Sequence, residues 1–336
     1  MIPVLSIMIP TFNRAHYLRF CLESVLPQSI NKSVEVIVID NGSIDATPQV
    51  IKDFSARYPL LRSFRNDRNL GYAGNQAKCI EYAAGQYIAI LCDDDLYLSG
   101  AIDRILDVVR VREYSFIALN YCAFFSTLAR PMISHVGPLE DHVFDRAYDI
   151  FRHPSVGHFS GFVFNANLAK KALSEILGES DLASFEVLRG ILGQICVKSL
   201  IPACLPSYYV GRILVGARQP LVVDYDSLQH LCIDFYRWLL RCQAEGLLPQ
   251  VDVDFFRRFI IAQLPKALYR NYCYLDDEQR RQIRAQLDCW FMNEPEYICR
   301  VVPVIRRMEL SWMRWGLRSI CDVYRLVKPL WWKIRY

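Results

Sequence analysis

No two cysteines of this chain form a CxxC pair. The 12 cysteines among 336 residues stand singly from Cys21 to Cys321, with no histidine cluster beside them. That argues against the common zinc spacings and a disulfide framework, and scattered thiols fit a reducing compartment. No uninterrupted apolar run reaches membrane-spanning length. The nearest, SFIALNYCAFFSTLA (115–129), is short, contains Asn120 and reads as a buried strand with its turn. The opening MIPVLSIMIPTFNR has no basic stretch before its apolar run, so no signal peptide is expected. The net charge of +4 is too small to imply a nucleic-acid partner. PTFNRAHYL (10–18) lacks glycine, which argues against the Gly-rich phosphate loop of a nucleotidyltransferase. There is no internal repeat and no low-complexity segment.

What the chain does have is apolar content. It is 53% hydrophobic and 22% charged, enough for a sizeable core and incompatible with general disorder. Its first hundred residues alternate between two periods. VLSIMIP (4–10), VEVIVID (34–40), LRSFRND (61–67) and QYIAILC (86–92) read as strands. AHYLRFCLESVLPQ (15–28) places Leu18, Cys21, Leu22 and Val25 on one helical face. DATPQVIKDFSARY (45–58) reads as a helix with Asp45 or Thr47 as N-cap, and YAGNQAKCIEYAAG (72–85) as a helix closed by Gly85 at C′. Alternating strands and helices with continuously apolar strands imply an α/β fold, a mainly parallel sheet between helix layers. Helical segments are expected at 100–111 and 167–178, an amphipathic segment at 185–200 and a short strand at 160–165. Beyond about residue 224 the periodicity is all helical, over 224–246, 252–272 and 276–293.

In such sheets ligands bind beyond the carboxyl ends of the strands. PTFNR (10–14), DNGS (40–43) and the triple aspartate Asp93, Asp94, Asp95 fall at those ends. Three adjacent carboxylates beside an apolar strand repel one another, and a bound divalent cation would offset that repulsion.

LSIMIPTFNRAHYLRFCLESVLPQ, VEVIVIDNGSIDAT and RNLGYAGNQAKCIEYAAGQYIAILCDDD, in that order, resemble three sequence blocks of the family 2 inverting glycosyltransferases. The resemblance is strong over 4–110, weaker to about 215 and absent beyond. It implies the GT-A fold, a nucleoside-diphosphate sugar donor and Mn²⁺ or Mg²⁺. By position, Pro10, Thr11, Asn13 and Arg14 would line the nucleotide pocket. Asp40 would accept a hydrogen bond from the base, which favours the ring N–H of uracil or thymine. Asn69, Gly71 and Asn75 would lie near the base and ribose. Asp93 and Asp94 would face the nucleotide, and Asp93 and Asp95 the cation, with Asp95 its direct ligand. The acceptor implied is a saccharide or polyprenyl-linked saccharide, in surface polysaccharide (O-antigen) synthesis.

The chain also departs from the family pattern. The usual arginine near residues 75–77 is missing, which leaves Arg68, Arg212 or Arg218 to contact phosphate, and Cys92 replaces an aspartate often found just before the last three. The Glu-Asp motif that supplies the general base is absent. In its place GESDLASFEVLRG (178–190) offers Asp181 and Glu186, then Glu179, with His153 and His158 in a nearby loop. An inactive GT-A-like scaffold at the membrane is the non-enzyme alternative.

Three regions are expected: a GT-A domain at 1–215, a helical region at 216–295 and a tail at 296–336. The tail carries nine Lys or Arg against three acids, with Trp312, Trp315, Trp331 and Trp332 interleaved. A helix from Leu310 would gather Trp312, Trp315, Ile320, Val323 and Leu326 on one side, a pattern suited to an anionic membrane surface. The expected location is cytoplasmic, peripheral at the inner face of the membrane.

Overall fold

Strand alternation divides the apolar residues between two cores. The computed structural model describes residues 2–124, 128, 133–152, 158–178, 205–218, 235–244, 246, 250–272 and 275–310. In β1 (Leu5–Thr11), β2 (Val34–Asp40) and β4 (Tyr87–Ile90), the residues Leu5, Ile7, Ile9, Val36, Val38 and Ala89 join one buried cluster. Met8, Ile37, Ile39, Ile88 and Ile90 join the other. Successive side chains of a strand point to opposite faces, so a strand apolar throughout must be covered on both. Helices α1 (Ala15–Ser29), α2 (Thr47–Arg57) and α4 (Ala101–Val111) contribute to the first core. Helices α3 (Gly71–Tyr82) and α5 (Ala166–Gly178) contribute to the second.

The remaining strands are β3 (Leu61–Arg65), β5 (Leu96–Tyr97), β6 (Phe116–Phe124), β7 (His142–Phe144), β8 (Phe162–Asn165) and β9 (Ser207–Arg218). The sheet order is β3-β2-β1-β4-β8-β6-β9-β5, with β7 paired to β9. β3, β2, β1 and β4 are parallel, β8 is antiparallel to both β4 and β6, and β6 is parallel to β9. The expected mixed, mainly parallel sheet between helices is therefore present. β1 is flanked by β2 and β4, so the chain order reverses there, and the crevice between β1 and β4 is where a doubly wound sheet binds ligands.

Two local expectations are corrected. Helix α3 ends at Tyr82 rather than Gly85, with extended backbone at Ala83. Gly85 is glycine for close approach instead: a Cβ there would lie 2.7 Å from the nitrogen and hydroxyl of Ser6. The residue at the N-cap of α2 is Ala46, with no side-chain cap. Asp45 accepts from the Thr47 N–H at 2.9 Å and from the Ala15 N–H at 3.1 Å, so it ties α2 to the start of α1.

The first compact unit runs from Met1 to Gln219, slightly past residue 215, because β9 continues to Arg218. The second, Pro220–Tyr336, is helical where described. It holds α6 (Phe235–Ala244), α7 (Gln250–Asn271), α8 (Asp277–Phe291), α9 (Pro295–Arg300) and α10 (Val302–Met308). Helix α8 starts with a capping box, in which Asp276 accepts from the Gln279 N–H and the Gln279 side chain accepts from the Asp276 N–H. Among the described residues no helix is long and apolar enough to cross a membrane. The expectation for the tryptophan-bearing segment after Leu310, Trp312, Trp315, Ile320, Val323 and Leu326 included, lies outside the described residues.

Candidate active site

The loops after β1 and β2 are laced together by their own side chains. Asn13 adopts the left-handed conformation (φ 54°), which asparagine tolerates. Its side-chain oxygen accepts from the Ile44 N–H and its own N–H donates to Ser43 Oγ, both at 2.8 Å. Thr11, the last residue of β1, turns its hydroxyl the other way, to Asp93 at 2.7 Å. Arg14 follows, and its guanidinium lies 3.2 Å from Asp93 and 2.8 Å from Asp94. Pro10, Thr11, Asn13 and Arg14 thus stand in one segment that joins the DNGS loop to the aspartates.

The three aspartates separate in space. Asp93 is buried against Thr11 and Arg14. Burial pushes its carboxyl up to about 7, against the opposing pull of Arg14 and the Thr11 hydroxyl. Asp94 is raised by burial and then by the charge of Asp95. Asp95 is buried and accepts from Ser160 Oγ, from His158 Nε2 at 2.6 Å and from the Arg218 N–H at 2.8 Å. One potential ligand atom each from Cys92, Asp94 and Asp95 lies within 4.8 Å of the others. Asp93 is outside that group. Burial raises the Cys92 thiol well above its ordinary value, so the two carboxylates are the readier donors there. Two clustered carboxylate oxygens suit a hard divalent cation such as Mg²⁺ or Mn²⁺.

Asp40 is buried at the end of β2, where its oxygens accept from the Ser43 N–H at 2.9 Å and from Arg65 at 2.9 Å. Beside it, Asn41 stands at the centre of a cluster of four asparagines, itself included. Its amide donates to Asn69 Oδ1 (2.8 Å) and the Gly71 carbonyl (3.1 Å), and its oxygen accepts from Asn66 and the Leu70 N–H, each at 2.9 Å. Asn66 also donates to Asn75, whose amide reaches the Ile39 carbonyl. The expected residues Asn69, Gly71 and Asn75 therefore sit together, and Asn41, Asn66 and Arg65 join them. Parallel register places Asp40 beside Arg65, a signal available from the strand ends alone. Gln76, in the stretch without the usual arginine, is fully buried and its amide has no partner among the described residues. An unpartnered buried amide costs about 1–3 kcal/mol, which a water or ligand group would offset.

Of the three arginines weighed for phosphate, Arg212 donates to the Ser99 carbonyl and the Arg68 backbone packs beside Gly42. Arg218 donates to the Asp94 carbonyl at 3.2 Å. It and Arg14 both lie against the Tyr17 ring, with guanidinium carbons 5.4 and 5.9 Å from the ring centre. His158 is drawn to Asp95. Asp181, Glu186, Glu179 and His153 lie outside the described residues.

Residues 6–168 match the family described as Glycosyl transferase family 2. That stretch of the chain belongs to glycosyl transferase family 2. Among curated relatives of this family 2 domain, the minor teichoic acid biosynthesis protein GgaA of Bacillus subtilis is 34% identical over 118 residues, 34% of this chain and 26% of that protein. The GalNAc(5)-diNAcBac-PP-undecaprenol beta-1,3-glucosyltransferase of Campylobacter jejuni is 33% identical over 105 residues, 31% of this chain and 34% of that one. The matched segment thus spans about a third of those relatives' length or less. Among solved structures, S. aureus TarS 1-349 in complex with UDP-GlcNAc superposes with a TM-score of 0.60 at 16% identity, covering 96% of this chain and 91% of that one. At that identity the likeness is one of fold.

Proposed function

We propose that this chain is a metal-dependent inverting glycosyltransferase. It moves a sugar from a nucleoside-diphosphate donor to a hydroxyl of a saccharide or lipid-linked saccharide during surface polysaccharide assembly. The observation that carries this reading is the meeting of Asp94 and Asp95 at the β1–β4 crevice, with Arg14 against Asp93 and Asp94. Both carboxylates stand outside the two apolar clusters, and their mutual repulsion is what a cation between them would offset.

In this reading Asp95 and Asp94 hold Mn²⁺ or Mg²⁺, while Asp93 serves chiefly to orient Thr11 and Arg14. The cation, when bound, neutralises charge on the departing nucleoside diphosphate. Arg14 and Arg218 supply guanidinium donors for phosphate oxygens, the work left open by the missing arginine. The pocket formed by Asp40, Arg65 and the asparagine cluster receives the nucleoside. Asp40 there would be the acceptor for the ring N–H of uracil or thymine. Asp181 or Glu186 takes the proton from the acceptor hydroxyl as that oxygen attacks the anomeric carbon. The bond from that carbon to the diphosphate oxygen breaks on the opposite face, so the configuration inverts. The tail's excess of six positive charges docks the enzyme on an anionic membrane, where it meets a lipid-linked acceptor.

The test is a panel of nucleotide sugars with Mn²⁺, read by thermal stabilisation and by nucleoside-diphosphate release. One sugar nucleotide should stabilise the protein, by roughly 2.7 kcal/mol at about 100 times its dissociation constant, and EDTA should abolish turnover. No stabilisation by any member, or full transfer in EDTA, overturns the reading. Docking is checked by co-sedimentation with anionic and neutral liposomes, full chain against a truncation after Pro303. Equal sedimentation of the two proteins rejects it.

A further inference from the structure

Asp95 is gripped from two sides by segments distant in sequence. From one side come His158 and Ser160, in the turn that leads into β8. From the other comes the backbone N–H of Arg218, at the end of β9. Ser160 is fully buried and also accepts the Cys92 N–H at 2.9 Å, so one hydroxyl sets both ends of the CDDD turn. His158 is placed as firmly. Its ring lies 4.9 Å from that of Tyr121 on β6, at 32°. The turn can press this close to β6 because residue 161 is glycine: a Cβ on Gly161 would lie 2.8 Å from the Leu119 carbonyl oxygen.

A carboxylate offers about four lone-pair directions on its two oxygens. On Asp95, Oδ2 receives both Ser160 and His158, and Oδ1 receives the Arg218 N–H. Three directions are taken, and the one left belongs to Oδ1. We infer that His158 is a positioning residue for the cation site, saturating Oδ2 of Asp95 so that the carboxylate presents Oδ1 in a fixed orientation. This rests on the reading of Asp95 as a cation ligand. Without His158, Oδ2 regains an open direction and the carboxylate loses one of the three contacts that stop it turning about its side-chain bonds. Loss of such an outer partner typically costs 10–100-fold in metal affinity.

The experiment is a titration of the full chain with Mn²⁺, following free Mn²⁺ by EPR, once with the metal alone and once with UDP present. Four variants are compared with wild type: His158→Ala, His158→Phe, His158→Gln and Asp95→Asn. His158→Phe keeps a ring against Tyr121 but has no N–H. His158→Gln keeps a side-chain N–H close to the Nε2 position. Expected is a 10–100-fold weakening of Mn²⁺ binding for Ala and Phe and recovery of most of it for Gln, with near-ultraviolet spectra like wild type. A role confined to packing would instead leave Phe close to wild type and Gln impaired, and that pattern overturns the inference. Mn²⁺ binding by all three His158 variants as tight as wild type, while Asp95→Asn has lost it, also overturns it and leaves the cation reading standing. No saturable Mn²⁺ binding by wild type in either condition overturns the cation reading itself, and the inference with it.

Discussion

The guanidinium of Arg65 lies 2.9 Å from the carboxylate of Asp40 and 2.7 Å from the Ser43 carbonyl. A buried acid at the end of one strand is thus compensated from the neighbouring strand. Asp40 is 2% exposed while the Arg65 side chain is 51% exposed. Removing the arginine strands the acid, but solvent at Arg65 moderates the loss. Arg65→Ala should cost about 1–2 kcal/mol in urea unfolding and weaken nucleotide binding. The cost should largely vanish in an Asp40→Asn background. Additive effects of the two substitutions would show that the pair is not coupled.

Asp95→Asn and Asp94→Asn should retain the fold, since both side chains stand at the crevice rather than in either apolar core. A neutral amide is a poorer donor to a hard cation. Turnover should fall at least ~100-fold in Asp95→Asn, with a smaller loss in Asp94→Asn. The measurement is nucleoside-diphosphate release at saturating Mn²⁺, alongside the melting temperature. Wild-type turnover in Asp95→Asn would remove this carboxylate from the mechanism.

Asn41 satisfies two donors and two acceptors with one side chain. Asn41→Ala leaves several buried polar groups unpartnered, at about 1–3 kcal/mol each before relaxation. A net loss of about 2–4 kcal/mol is expected in denaturant unfolding, together with a raised KM for the donor. A loss below about 0.5 kcal/mol would mean that water takes over those contacts.

Asp141 gives a pH signature away from the crevice. Burial pushes its carboxyl up, but the Tyr208 hydroxyl, the Gly211 N–H and Arg104 outweigh that and hold it below its ordinary value. A lowered folded-state value means stability that is fully present above the unfolded value of about 3.9 and is lost as pH falls through the folded one. The melting-temperature gap between wild type and Asp141→Asn should therefore be widest above about pH 5 and narrow below about pH 4. A gap constant across that range contradicts the assignment.

Gly161→Ala probes the support beneath His158. Its Cβ would force the turn away from the Leu119 carbonyl. Overpacking of this kind costs about 1–3 kcal/mol. Mn²⁺ binding should weaken along with the melting temperature. A stable Gly161→Ala protein with unchanged Mn²⁺ affinity would show that the turn tolerates the shift.

The parallel half of the sheet was legible because its strands are apolar on both faces and its helices show a clean apolar stripe. Strand β9 was not. SYYVGRILVGAR contains two glycines and two arginines, residues that dilute a strand pattern, and it owes its stability to pairing with β6 on one side and β5 and β7 on the other. The site divides along the same line. Asp40 and the triple aspartate follow local apolar runs and announce themselves. Arg65, Asn66 and His158 matter through partners 25 to 63 residues away, which no local period reveals. Gly85 shows the reverse error, because a glycine that looks like a helix stop is there to let the backbone pass Ser6.

The family match ends at residue 168, yet the sheet is completed only by Ser207–Arg218. An expression fragment cut at the family boundary would leave β6 with an open edge on the side where β9 belongs. Bare strand edges recruit other chains, so such a fragment is expected to self-associate. It would also lack the Arg218 N–H that holds Asp95. A fragment ending at Gln219 closes that edge, which makes it the shortest piece of this chain worth purifying.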